Sequence, residues 1–470
     1  MLRPDPAFPD VYLRRRRIRA ILLRFIMAAS AESPTPLSRR RILRFWLPLE
    51  ATWLMMAVEG PFLAAVIARL PDPKENLAAF GVAAALAWII ESPIIMMLSA
   101  SNALCRDRIA YHKLRRFSFT LNGVVTVIML ALVTPPVFRV VVLGIMGLPP
   151  EVAVLAGRAI GLLIFWPAAI GFRRFYQGIL IRSGRPQAVT WGTVIRLSPM
   201  AVTGLLLALA AKLPGASVGA GAMGAGVIAE GAASWAMARS TLRALNHQPD
   251  EFCDFGRELT MARIRRFYAP LALTTFLSFF INPLTSYFMA RGRQPIESLA
   301  VLPVIVGLAF MFRTAGISLQ EVVIALIGDE GGHRAELARF SKQVAAFSTL
   351  ALAAVVFTPL ATVWYHAVSG LSSELSVFAF LPGALLVLLP LLETTQSYQR
   401  AVLVRSHKTG PIGTAVAAQL ALTTGVFAAT IFGFRMAGAP TTGIALTAGY
   451  IAGNVVLYVL RGKRWILRTA

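Results

Sequence analysis

Beyond residue 41 the chain reads as long apolar runs separated by short polar connectors. The runs predict helices over residues 42–69, 76–105, 114–136, 151–182, 186–211 and 218–243. The connector "NHQPDEFCDFGRELTMARIRR" follows. Six more helices are predicted over residues 264–291, 296–327, 338–365, 373–405, 409–434 and 440–462. The pattern implies an all-α polytopic membrane protein with twelve transmembrane helices in two six-helix sets. Its expected organisation is a basic arm (1–41), a first lobe (42–243), an inter-lobe connector (244–263), a second lobe (264–462) and a short tail (463–470).

The connectors test this count by their charge. One alternating set, "CRDRIAYHKLRR", "IRSGRPQ", the inter-lobe connector, "HRAELARFSK" and "VRSHK", is rich in Lys and Arg, as are the ends "SRRRILR" and "RGKRWILR". The other set, including "LPDPKEN", "LGIMGLPPE", "KLPGAS", "HAVSGLSSE" and "AGAPTT", is nearly free of them; "ARGRQPIES" is the exception. Basic connectors stay cytoplasmic, so the alternation implies an even number of spans in the plasma (cytoplasmic) membrane, with both termini cytoplasmic. The arm segment "YLRRRRIRAILLRF" is too charged to span. It suits either a helix lying on anionic lipid or a disordered extension, with Met27 as a second candidate start. No small-residue cleavage site follows a clean apolar core, which disfavours a signal peptide.

The chain also repeats itself. At an offset of about 222 positions, Phe45, Pro48, Leu49, Thr52, Pro61, Ala68, Arg69, Pro73, Glu75, Leu77, Ala78, Val82, Leu86 and Ala87 all meet their own residue type. "FRRFYQGILIRSGRPQ" and "ETTQSYQRAVLVRSHK" correspond with a slip of one residue. Chance matching of Leu and Ala does not produce two matched prolines within helices. Each repeat holds an even number of spans, so the repeats are parallel, related by a pseudo-twofold axis along the membrane normal. Two such lobes enclose a cleft that rocking opens to either side. A duplicated scaffold without transport is the plainer alternative.

Composition agrees: 57% of residues are hydrophobic and only 14% charged, against about a quarter in soluble domains. The net charge of +24 lies between apolar spans rather than on a polar domain, which argues against nucleic acid as a partner. Cys105 and Cys253 are far apart and show no metal-ligand or disulfide pattern, and the five histidines fall in or near connectors. No nucleotide loop, catalytic triad or metal cluster is legible, so neither an enzyme nor a cofactor is expected. The expected partner is a small-molecule substrate, with H+ or Na+ as the coupling ion and a monomer as the working unit.

Charge inside a span costs ~2.5–3.5 kcal/mol on insertion scales, so each instance needs a reason. Glu91 and Arg313 occupy equivalent repeat positions and suit an inter-lobe ion pair, a divided substrate site, or separate pairing within each lobe. Glu59 lies before the kink-forming Pro61, while its counterpart Ile281 lies before Pro283. The bend is kept and the charge is not, which suits either ion coupling or a structural carboxyl in one lobe. Glu321 and Glu393 are similarly placed carboxylates. Glu230 lies in a Gly-rich helix whose glycines suit close packing, and Glu50 is expected to pair locally with Arg44 or a neighbour. Arg173 and Arg174 lie about 10 Å deeper than Arg182 along their helix, where they suit either snorkelling to the interface or a cleft that binds anionic substrates or lipid phosphate.

"RFWLPLEATWLMMAVEGP", "RRFYAPLALTTFLSFFINPLTSYFMAR", "WPAAIGFRRFYQGILIRSG" and "GISLQEVVIAL" resemble segments of the multidrug/oligosaccharidyl-lipid/polysaccharide (MOP) exporter superfamily, which includes the MATE transporters. Locally they are most similar to its ANK (progressive ankylosis) membrane proteins. The resemblance covers most of residues 42–462. It implies a V-shaped, two-lobed exporter. MATE-like members exchange Na+ or H+ for organic cations; ANK-like members are associated with small anions such as pyrophosphate, citrate or nucleotides. The aspartate typical of the first MATE helix is absent near Leu63, which weakens MATE-style coupling. Glu59 and Glu321 match acidic positions of ANK-like helices and are carried over as ion-coupling candidates. The expected function is alternating-access export of organic or phosphate-bearing anions. The alternatives are a Na+- or H+-coupled multidrug antiporter and a lipid-linked precursor flippase; the latter class often adds two helices, and none are counted here.

Overall fold

A computed structural model describes residues 37–466 apart from 186, 211, 250–252, 328–331 and 407–409. Expectations for the basic arm, Met27 and His407 fall outside the described residues. The described residues are helical and contain no strand. Twelve long helices follow one another. The first lobe holds α1 (Arg39–Ile67), α2 (Pro73–Leu104), α3 (Arg108–Val133), α4 (Pro150–Arg182), α5 (Gln187–Ala210) and α6 (Gly215–Asn246). The second holds α7 (Met261–Met289), α8 (Pro295–Leu326), α9 (Arg334–Phe357), α10 (Ser373–Arg405), α11 (Gly410–Ala428) and α12 (Gly438–Ile466). All but α6 are long and apolar enough to cross a membrane, and the chain is an integral multi-pass membrane protein.

The sixth helix is 32 residues long and rich in glycine. A Cβ on Gly219 would meet Ile67 and Phe80, and one on Gly226 would meet Met200 and a backbone oxygen of Arg196. Bare backbone there lets α6 sink against α1, α2 and α5, as small residues do in membrane bundles. Its burial comes from packing within the lobe.

The repeat recurs in local detail. Asp72 and Gln294, about 222 positions apart, both take the left-handed backbone conformation just before the prolines that open α2 and α8. Both fourth helices break after a 13-residue first segment, before Trp166 and before Leu389. At one crossing the repeat exchanges partners. Gly171 of α4 packs on Ile94 of α2, whereas in the second lobe Gly316 of α8 packs on Thr394 of α10. Each crossing keeps one glycine, on opposite helices. The prolines differ: α1 runs unbroken through Pro61, whereas α7 breaks at Phe280, three residues before Pro283.

The lobes are clasped at both membrane faces. Away from the basic connectors, Arg69 donates to the carbonyls of Ala367 (2.6 Å) and Val368 (3.0 Å) across the lobe boundary. Its counterpart Arg291 donates to Ile145 (2.5 Å) and Met146 (2.6 Å) in the first lobe. Each arginine also bonds the carbonyl one turn back, Ala65 or Tyr287. Gly147 and Gly370, both with positive φ, leave room for the opposing guanidinium. Lys74 adds ion pairs to Glu297 and Glu374. Nearer the basic face, Trp46 donates to Ala315 (3.3 Å) and Ser318 (2.8 Å), and its counterpart Tyr268 donates to Pro93 (2.5 Å). Glu50 does not pair with Arg44; it accepts from Thr314 and Ser318 of the other lobe. Cys105 and Cys253 are free and buried. Burial pushes the Cys105 thiol up to about 12, so it stays protonated and unreactive at neutral pH.

At Gly316 the obstacle is the backbone of Thr394, 2.7–2.8 Å from a Cβ position. Gly316→Ala is expected to cost about 1–3 kcal/mol and lower the Tm of detergent-solubilised protein. Gly413→Ala, with open space at its Cβ, should be neutral or slightly stabilising. Equal Tm values for the two variants would contradict the packing described.

Candidate functional site

Five helices of the first lobe bring charge to one buried place. Glu230 of α6 pairs with Arg173 of α4 and stands 3.7 Å from Arg196 of α5. Its second oxygen accepts from Gln177 Nε2 at 3.0 Å. Arg196 in turn pairs with Glu59 of α1. Glu91 of α2 is buried within electrostatic reach of Arg173, Arg174 and Arg196. The cluster therefore sets three arginines against three glutamates. A buried arginine needs a carboxylate, since leaving either partner alone costs several kcal/mol. Here Glu230 serves two arginines and Arg196 serves two glutamates.

The cluster is under-satisfied in a particular way. Glu59 Oε1 and Glu91 Oε2 are buried without a hydrogen-bond partner. So are the Nε atoms of Arg173, Arg174 and Arg196. Arg174 makes no hydrogen bond or ion pair among the described residues.

The second lobe answers with different chemistry. Arg313 of α8 donates to Glu393 of α10 at 2.6 and 3.2 Å. Tyr450 of α12 closes the triangle, accepting from Arg313 and donating to Glu393 at 2.9 Å. Where the first lobe has Arg173, Arg196 and Glu230, the equivalent positions carry Gln396, Gln419 and Gly453. Gln396 donates to Gln419 at 3.1 Å, and a Cβ at Gly453 would collide with Gln396. A second polar pair, Gln399 with Asn454, lies further along α10. The Nε of Arg400 is buried and unpartnered.

The sequence-predicted residues thus divide. Glu59, Glu91, Arg173 and Arg174 come together, and Arg313 and Glu393 form a pair. The inter-lobe pair of Glu91 with Arg313 is not formed: each is engaged with charges of its own lobe. Arg173 is bound to Glu230 inside the six-helix lobe rather than left free to face a cleft. Glu321 is exposed and makes no ion pair among the described residues. Arg196 was not among the expected residues, although a lone charge in "TVIRLSPMAV" carried the same signal as Glu91. Glu230, whose Gly-rich surroundings in the sequence suit helix packing, is the hub of the cluster.

Solved structures share the fold. An inward-facing multidrug resistance MATE family transporter of the MOP superfamily superposes with TM-score 0.65 over 89% of this chain and 96% of that one, at 15% identity. The MATE transporter VcmN of Vibrio cholerae gives TM-score 0.60 over 92% and 97%, at 15% identity. The lipid II flippase MurJ, in an inward closed conformation, gives 0.63 over 88% and 87%, at 13% identity. No protein-family model matches the chain, and no curated protein sequence does. The chain has the MATE-type fold.

Glu230→Ala strands the buried Arg173 and leaves Arg196 with Glu59 alone, and is expected to cost about 3–5 kcal/mol. Adding Arg173→Gln should recover part of that loss, because one uncompensated charge is removed with its partner. Thermal unfolding of the purified variants tests this. A double variant no more stable than the single would contradict the hub role of Glu230.

Proposed function

We propose that this protein is an alternating-access secondary exporter of small organic or phosphate-bearing anions, working in the cytoplasmic membrane with its basic connectors inside. The observation that carries the reading is the pair Arg174 and Arg400. Both lie inside the fourth helix of their lobe, and neither has a hydrogen bond or ion pair among the described residues. Each keeps a buried Nε unpartnered. Glu91 lies within electrostatic reach of Arg174, and Glu393 of Arg400, but no carboxylate bonds either guanidinium among the described residues, so each has donors left over. A carboxylate or phosphate on a passing solute supplies both, in the bidentate geometry that guanidinium favours.

The fold supports the transport half of the proposal: two parallel six-helix lobes, clasped at both faces by bonds that can be exchanged. The local resemblance to ANK-type segments agrees with an anionic substrate. Glu59 and Glu91, each with a buried unpartnered oxygen, are the positions for a coupling H+ or Na+. Those same oxygens favour a second reading, exchange of an organic cation against that ion. Similarity to the flippase MurJ keeps a lipid-linked pyrophosphate as the largest member of the anion class.

Purified protein in proteoliposomes should take up radiolabelled small polyanions, pyrophosphate and citrate being the first to try, with saturable kinetics. Arg174→Gln is expected to slow uptake about tenfold or more, the worth of a charge-assisted hydrogen bond, while Arg174→Lys keeps part of the rate. Wild-type rates in Arg174→Gln, or organic-cation flux driven by a pH gradient with no anion flux, would overturn the anion reading.

A further inference from the structure

The basic face carries a second concentration of arginine, away from the buried cluster. An open depression of about 380 Å³ is lined by Ala103, Leu104, Arg106, Phe255, Arg263, Arg266 and Phe267. Three separate pieces of chain build it: the α2–α3 connector, the inter-lobe connector and the start of α7. The connector piece is fixed rather than loose. Gly256 N donates to Asp107 (2.6 Å), and Lys113 donates to the Gly256 carbonyl (2.8 Å). Phe255 is thereby held against the first lobe. The guanidiniums of Arg106 and Arg263 lie 4.4 and 5.9 Å from the centre of its ring.

The charge in this depression is not balanced. Arg263 has one carboxylate at the edge of reach, the exposed Glu258 at 4.0 Å. Among the described residues, the Arg106 side chain bonds the neighbouring Ala103 carbonyl and lies over the Phe255 ring. Arg266 makes no hydrogen bond, ion pair or ring contact among the described residues. Among the described residues, three cations therefore converge on one surface with one carboxylate, Glu258, at the edge of ion-pair reach, since Asp107 is taken up by backbone N–H groups and Asp254 by Arg257. The floor of the depression is Leu104 and two phenylalanines, which suit acyl chain rather than water. The outer side continues as a lipid-facing stripe, since Phe267, Leu273 and Phe276 of α7 are all exposed. Of the apolar spans, α7 is the least buried by protein.

We infer that this depression is a binding site for the phosphate headgroup of an anionic phospholipid of the cytoplasmic leaflet, with its acyl chains along Phe267 and the outer face of α7. The three guanidiniums take the phosphate, and Phe255 keeps two of them aligned. Because Arg106 belongs to the first lobe and Arg263 and Arg266 to the second, one lipid ties the lobes together at the basic face. The site lies apart from the buried cluster, so its existence is independent of which solute the protein carries.

Native mass spectrometry of the full chain released from nanodiscs tests this. With phosphatidylglycerol in a phosphatidylcholine background, the wild-type protein should retain phosphatidylglycerol preferentially. Arg266→Gln removes a residue without internal partners and should lower that retention about fivefold, the worth of one arginine at an anionic surface. Arg106→Gln with Arg266→Gln should lower it further. Arg116→Gln, an exposed arginine outside the depression, should leave it unchanged; thermal unfolding confirms that each variant is folded. Equal retention in Arg266→Gln and wild type would overturn the site. So would equal losses from Arg266→Gln and Arg116→Gln, or displacement of the lipid by millimolar inorganic phosphate.

Discussion

An arginine in an apolar span must find a carboxylate, and the first lobe is arranged around that demand. Arg173 and Arg196 both reach Glu230, and Arg196 extends the chain of charge to Glu59. For the three side chains to meet, α6 must pack closely on its neighbours, and its glycines allow that. The same demand explains why the sixth helix can tolerate both glycine and a glutamate. Its place is set by what it packs on and pairs with, not by its affinity for lipid.

The duplicated lobes separate architecture from chemistry. The Arg69 and Arg291 clasps, the Trp46 and Tyr268 bonds and the left-handed residues before α2 and α8 repeat position for position. These features join the lobes, and a pseudo-twofold interface requires both copies to keep them. The buried polar sites face inward within each lobe, where no symmetry constrains them. There the first lobe is ionic, and the second replaces Glu230 with Gly453 and two arginines with glutamines. The two lobes thus hold two unlike polar sites, and the fully buried unpartnered carboxylate oxygens among the described residues of these sites, those of Glu59 and Glu91, lie in the first.

Most of the fold was legible in the sequence, and the reason is physical. Span length, charge on alternate connectors and matched prolines are one-dimensional signals imposed by a bilayer. The ends of helices were less legible: α3 begins at Arg108, and its basic first turns read as connector. The site was legible only as a set of suspicious residues. That Glu59, Arg173 and Glu230 belong together depends on how α1, α4, α5 and α6 pack, and no spacing along the chain records it. Arg196 carries no charged repeat counterpart, Gln419 being neutral. Glu50 was expected to bond nearby residues, but the nearest donors belong to the other lobe, a contact that only the closed interface creates.

The alternating access proposed above is tested most directly by spin-label distances. One pair, Ser183→Cys with Ser406→Cys, reports the basic face. The other, Leu213→Cys with Phe434→Cys, reports the opposite face. All four positions are exposed, while the native Cys105 and Cys253 are buried. In liposomes, a saturating transported anion should lengthen one distance as it shortens the other. Distances that stay fixed, or that change in the same sense at both faces, would contradict a rocking two-lobe exporter.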